Sequence, residues 1–289
     1  EKVITHNGLQ GKPSLDNFFK KEDIILVSLS KREGEIVNVQ AVDRLRQNWH
    51  LWLFGIFVVL LLLYARIIGI KALFSFIASL FIIWKYLIPG LLAGNNPLII
   101  SIVILVLLSG VILFSIGGFT KKGLSAFMGT IMGLATSAGV AIFFGNKMGL
   151  EGMTSPFAET LLFSGNINLN MRQIFYAAII IGASGAAMDI AMDIAASMSE
   201  LKSKKPEIEF KELVKSGFNV GKDVIGTMTT TLLLAYSGGY LSLLMLFASK
   251  NTDFTRMINY KVVSAEILRT VTGSIGLVLV APITAIIAG

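Results

Sequence analysis

The sequence contains no cysteine, which excludes disulfides, thiolate metal sites and thiol nucleophiles. Histidine is nearly absent. His6 and His50 are the only two, and both precede the first long apolar run, so no later segment offers an imidazole as base or metal ligand. Charge is scarce too: Asp, Glu, Lys and Arg make up 15% of the chain, against about 25% in soluble domains. Walker A, H-E-x-x-H and Rossmann patterns are all missing. Apolar residues take the space, 54% of 289, and that composition reads as a membrane protein. The net charge of +7 fits loops facing anionic lipid, with no nucleic-acid partner expected. The chain starts at Glu1 rather than Met, with no signal peptide ahead of its first domain, so a natural start further upstream, with an anchor, is expected.

Residues 1–48 differ from the rest. "KVITHNGLQ", "DIILVSLSK" and "EIVNVQAVDRLRQ" are short β-rich runs broken by Gly and charge, predicting three or four strands of a small β-domain. Beyond them, a helix needs roughly 20 apolar residues to cross a bilayer. Seven segments qualify, at about 49–66, 71–91, 97–117, 123–144, 173–198, 223–248 and 263–287. Trp49, Trp52 and Tyr64 bracket the first and Trp84 and Tyr86 end the second, as interfacial anchors do. Arg66, Lys71, Lys121, Lys122, Lys202, Lys204, Lys205, Lys211, Lys215 and Lys222 fall on one side, and Lys85, Lys147, Arg172, Lys250, Arg256 and Lys261 on the other. The excess of basic residues predicts an external β-domain and an internal C-terminus. Within 203–220, Phe210, Leu213, Val214, Gly217 and Phe218 repeat at helical spacing with Lys211 and Lys215 opposite. That pattern predicts a short amphipathic helix on the inner surface, with a plain linker helix as the alternative.

The fifth segment carries the chemistry of interest. Ile181, Gly185, Asp189, Asp193 and Ser197 recur every four residues and form one stripe along a helix. A charge at the bilayer centre costs at least about 2.5–3.5 kcal/mol, so such residues face protein or a wet cavity. Counted from Arg172, Asp189 sits past the midplane and Asp193 near the inner interface. The stripe reads either as a proton or ion site, or as acids held structurally by lysines at the membrane edge. The sixth segment, "GKDVIGTMTTTLLLAYSGG", enters from the same side. Lys222, Gly226 and Thr230 form one four-residue series and Asp223, Thr227 and Thr231 the next. Lys222 is the expected counter-ion, and Asp223, Thr227 and Thr230 are further site candidates, although each Thr could simply bond its own helix. "SGG" at 237–239 predicts a close contact or a break. Glu266 and Arg269, three apart in the last segment, predict a structural ion pair. Gly129 and Gly133 predict close helix packing.

Enzyme readings fare poorly. "GASG" at 182–185 matches the G-x-S-G of rhomboid-type intramembrane proteases, but Ser184 lacks a histidine partner on any later span. Aspartyl intramembrane proteases place their acids on two facing helices, whereas Asp189 and Asp193 share one. No enzymatic activity, cofactor or bound metal is expected.

"IIIGASGAAMDIAMDIAASMSEL", "SGFNVGKDVIGTMTTTLLLAYSGGYLSLLMLF" and "AEILRTVTGSIGLVLVAPITAIIAG" resemble the YibE/F-like family of bacterial multi-pass membrane proteins, and the resemblance extends over nearly the whole chain. It implies residence in the bacterial cytoplasmic membrane and an extracytoplasmic β-rich start. The family commonly keeps only the first acid of the pair, which weakens Asp193 as a site residue. An acid-bearing Gly-rich span, a basic loop and a Thr-rich span are also similar in arrangement to half of the membrane domain of SecD/SecF and related RND proteins, where an intramembrane acid serves proton coupling.

The expected fold is therefore an all-α polytopic membrane protein of about seven transmembrane helices, residues 49–289, behind a small N-terminal extracytoplasmic β-domain, residues 1–48. The expected function is proton- or ion-coupled transport or export through Asp189. A non-transporting scaffold, its polar stripe gluing helices together, is the rival. Expected partners are membrane lipid, an ion or small solute, and either a second copy or another membrane protein.

Overall fold

The computed structural model describes residues 5, 7, 8, 11, 16–32, 35–165 and 168–289. His6 and most of the strand expected at 2–10 lie outside them. The chain divides into two compact units, residues 1–69 and 70–289, a later boundary than the 48/49 read from the sequence.

The first unit contains a β-hairpin. β1 (Ile25–Arg32) and β2 (Glu35–Arg44) pair antiparallel, Ile25 opposite Arg44 and Leu29 opposite Val39. Irregularities between Leu26 and Val27 and between Ser30 and Lys31 shift the register. Two strands stand among the described residues where three or four were expected. Asp23 pairs with Arg44, and Arg46 with Asp43 at 2.7 Å.

The helix α1 (Gln47–Ile82) follows and crosses the boundary between the units. Its apolar side chains are largely exposed, Trp49, Trp52 and Leu63 among them, as lipid-facing positions are. Arg66 interrupts it with φ 48° and ψ −119°, a conformation that L-residues other than Gly seldom adopt. In a continuous helix residues eight apart are separated by about 12 Å along the axis. Here a Cβ on Gly69 would stand 2.8 Å from the Leu61 carbonyl oxygen, so the chain folds back sharply at Arg66. The break falls where the sequence separates its first two segments.

The second unit is helical. A π-helical turn (Ile83–Leu87) and α2 (Ile88–Leu92) complete the first apolar run. α3 (Pro97–Gly117) starts at Asn96, whose side chain accepts from the amides of Leu98 and Ile99, with Pro at the first helical position. α4 (Lys121–Lys147) is capped by Thr120. A short α5 (Ala158–Phe163) precedes α6 (Met171–Lys204), capped by Asn170. α7 (Phe210–Gly239), α8 (Leu241–Ser249), α9 (Phe254–Ile258) and α10 (Lys261–Ala288) complete the chain.

α6 is the central post, packed against α3, α4, α7 and α10. Ile179, Ala183, Ala187, Ile190, Ala191 and Ile194 along it are completely buried. α4 and α10 meet closely: a Cβ on Gly129 would collide with Thr284 and one on Gly133 with Val280, and Ser137 Oγ donates to the Thr272 carbonyl at 3.0 Å.

Among the described residues five helices are long and apolar enough to cross a membrane, or six if the bent pair α7–α8 is one span. Residues 47–92 enter that number as a single run of 46 residues. The "SGG" expectation resolves as a break. α7 and α8 meet at 68° around Tyr240, while Gly238 and Gly239 have open space beside them.

The amphipathic segment differs from expectation. α6 runs on to Lys204, and α7 starts at Phe210 and continues unbroken into the sixth apolar segment, so no separate surface helix forms. Part of its apolar stripe turns toward the bundle: Leu213 is buried and Gly217 sits against Met198 and Ala285, while Phe210 and Phe218 stay exposed.

Candidate functional site

The predicted stripe lies on one face of α6. Gly182, Gly185, Asp189, Asp193 and Ser197 are all exposed, on a helix whose remaining faces are buried. On the α3 side Ile181 packs with the cluster around Ile104 and Leu108, and Met192 approaches Gly117. On the α7 side Ile194 approaches Gly221 and Met198 approaches Gly217. At 100° per residue, Asp189 and Asp193 both fall in the open strip between these contacts, Asp193 near its middle and Asp189 toward the α3 side. A Cβ on Gly185, one turn away, would meet nothing within 4 Å.

The antiparallel contacts set the depth. Pairing of 217 with 198, 221 with 194, and Tyr236 with Gly182 brings Lys222 level with Asp193 and Gly226 level with Asp189. Depth is shared, but direction is not. Thr230 lines a groove between α7 and α10, and Lys222 belongs to the same four-residue series. Among the described residues no ion pair or hydrogen bond joins Lys222 to either acid. The expected counter-ion is therefore not in place, because it leaves α7 on the α10 side while the acids leave α6 elsewhere. Asp223 and Lys222 are both exposed at the start of the apolar segment.

The threonines follow the local alternative. Thr227 Oγ1 donates to the Val224 carbonyl at 3.0 Å, Thr230 to Gly226 at 3.4 Å and Thr231 to Thr227 at 3.0 Å. Each hydroxyl satisfies its own helix, leaving lone pairs for an outside donor or ion. Ser184 is buried and donates to the Ile181 carbonyl at 2.7 Å.

Glu266 and Arg269 form the ion pair read from their spacing, 2.9 Å between Oε1 and Nη1. The guanidinium lies 5.8 Å from the ring centres of both Phe175 and Tyr236, a double cation–π contact. No spacing rule pointed to Tyr236 and Tyr240 beside this pair. Tyr236 stands in the last turns of α7 and Tyr240 at the bend that follows Gly239, and only the small residues at 237–239 hinted at that bend.

Among the described residues no three His, Asp or Glu side chains gather to hold a metal ion. What the arrangement provides is two carboxylates one turn apart on α6, facing outward beside open space. No curated protein and no solved structure gives a significant match. The YibE/F-like family model matches residues 53–289, most of the chain and both segments described above, and the chain belongs to that family.

Proposed function

We propose that this chain is a multi-pass protein of the bacterial cytoplasmic membrane that couples the movement of a proton or cation to transport or export, with Asp189 as the coupling group and no enzymatic step. The observation that carries this reading is the position of Asp189: on the open strip of the most buried helix, with free space beside Gly185 one turn away. A carboxylate facing lipid would be costly, so a wet path or another surface must meet it. Thr227 on α7, near the depth of Asp189, supplies a neutral oxygen for a cation in transit, whereas Thr230 turns toward α10. Asp193, one turn toward the Lys202–Lys205 end, relays the proton or adds a second oxygen.

Seven spans suit this reading. A run of 46 residues would extend about 69 Å as one helix, more than twice a hydrocarbon core of about 30 Å. The fold-back at Arg66 divides it into two crossings, and α7–α8 makes one broken crossing. The β-rich start then lies outside and Gly289 inside.

Because the chain lacks cysteine, a single introduced thiol reports cleanly. Gly185→Cys is expected to react with a small membrane-impermeant thiol reagent in intact cells or inverted vesicles, as a hydrated strip requires. Asp189→Asn is expected to insert normally yet fail to complement a deletion strain, with Asp193→Asn milder. Full complementation by Asp189→Asn, with Gly185→Cys unreactive from both sides, would favour a scaffold in which another helix covers the strip.

A further inference from the structure

Three lysines without an acid partner meet at the end of the bundle that carries the α3–α4 turn. A cavity of about 340 Å³ lies there between α4, α6, α7 and α10, lined by Lys121, Lys122, Ser125, Ser199, Lys202 and Ser203. No Asp or Glu lines it. Among the described residues no ion pair engages any of the three lysines. Two nearby acids are already paired, Glu200 with Lys204 at 2.7 Å and Glu212 with Lys205 at 3.0 Å. Lys202 Nζ donates to the Ile208 carbonyl at 3.1 Å, which leaves two of its three N–H groups. Gly289 forms part of the wall, against Val214 and Phe210. Even with a free carboxylate there, three cations stand against one anion.

Ser125 is left unsatisfied beside them. It is 7% exposed, yet its hydroxyl makes no hydrogen bond among the described residues. Five residues on, Thr130 Oγ1 donates to the Ala126 carbonyl at 2.8 Å, the usual recourse of a hydroxyl in an apolar helix. Ser125 Oγ is not one of the fully sealed partnerless atoms, so the surface it keeps lies on the cavity that it lines. A buried hydroxyl that opens onto a cavity without a partner marks a missing one. Ser125 stands in the second turn of α4, whose start at Thr120 puts the positive end of a 27-residue helix at the same place. Lysines, hydroxyls and dipole agree on an anion with several oxygens, and phosphate is the common anion that uses all three.

We propose that this cavity binds the phosphate of an anionic phospholipid, Lys121, Lys122 and Lys202 neutralising it and Ser125 donating to one of its oxygens. Depth favours the lipid over a soluble phosphate. Lys121 is the first residue of a helix long and apolar enough to cross a membrane, so these ammonium groups stand where hydrocarbon gives way to headgroups. Phe119 is 92% exposed, and Leu124, on the same face of α4 as Lys121, is exposed too. Large apolar side chains beside the lysines suit acyl chains and do nothing for a soluble anion. The site is separate from Asp189 and holds whether or not the protein transports.

The test is native mass spectrometry of the full chain, released from neutral detergent with phosphatidylglycerol, phosphatidylcholine or inorganic phosphate present. Phosphatidylglycerol is expected to be retained about tenfold better than phosphatidylcholine, a difference of about 1.4 kcal/mol. Its retention is expected to fall about tenfold when Lys121→Gln and Lys122→Gln are combined, and about threefold in Ser125→Ala. Lys147→Gln combined with Arg172→Gln removes the same charge at the other end of the bundle and is expected to leave retention unchanged. Equal retention of the two lipids, or equal losses in the two double variants, overturns the proposal. Retention of inorganic phosphate without a preference between the lipids assigns the cavity to a soluble anion and overturns it as well. Lys121 and Lys122 reach the surface, so their double variant decides the matter even if Ser125→Ala disturbs the packing of α4.

Discussion

Asp23 and Asp43 show how little distance separates a decisive charge contact from an idle one. The Arg44 side chain, with the Lys20 amide, holds the Asp23 carboxyl below its ordinary value of 3.8, and the Arg44 amide and the Arg46 side chain do the same for Asp43. Both groups are partly open to solvent, so the energy at stake is small. The sign is nonetheless fixed. A depressed carboxyl value stabilises the hairpin at and above the ordinary value, and that contribution is lost as pH falls through the lower folded value. Carboxyl NMR is expected to find Asp23 titrating below 3.8 and returning toward it in Arg44→Ala; a wild-type value at or above 3.8 would refute the contact. Lys222 is the opposite case. It faces away from the acids at its own depth, while Lys205 reaches Glu212 at 3.0 Å on the surface. Lys222→Met and Lys205→Met are both expected to change stability by less than about 0.5 kcal/mol. A markedly lower melting temperature for Lys222→Met in detergent would restore it as a partner of Asp193.

Helix packing in this bundle depends on where side chains are missing. Gly129 and Gly133 let α4 approach Thr284 and Val280 of α10, and small residues at such crossings give close van der Waals contact where lipid offers no hydrophobic drive. Gly133→Leu is expected to cost about 1–3 kcal/mol by overpacking. Gly139→Leu, on the same helix with nothing within 4 Å, is expected to cost little. Equal thermal stabilities for the two would show that α4 and α10 are not in contact at Gly133. Arg66 tests the neighbouring element. Its backbone conformation is one that glycine adopts freely and other residues only under strain of about 1–3 kcal/mol. Arg66→Gly is therefore expected to raise the melting temperature and Arg66→Val to lower it; the reverse order would place a regular helix through residue 66.

For the molecule as a whole, the span count fixes which end faces which compartment. With seven crossings, Lys20→Cys is expected to react with an impermeant reagent in intact cells and Pro206→Cys only after lysis. Labelling of both in intact cells would mean an even number of crossings between them, and would also reverse the sense of the proposed relay through Asp193. The open strip on α6 makes the same demand of any assembled form: water or another surface must cover Asp189, because lipid would not.

Composition, apolar run lengths and local spacing settled the local questions. The membrane class, the helix positions, the Glu266–Arg269 pair and the close Gly129–Gly133 crossing follow from short-range rules, since i, i+3 and i, i+4 neighbours meet in any helix. The three quoted segments likewise carried the family. Direction across helices was not legible. Asp193 and Lys222 share a depth, and spacing alone makes them natural partners, yet whether two side chains on different helices meet depends on how each helix is rotated about its axis. That rotation is set by all of its contacts together, here by Gly217 and Gly221 pressing α7 onto Met198, Ile194, Ala285 and Ala281. The same collective packing buried Leu213 and Gly217 against the bundle while Phe210 and Phe218 stayed exposed, and set Tyr236, in the last turns of α7, and Tyr240, at the bend, beside Glu266.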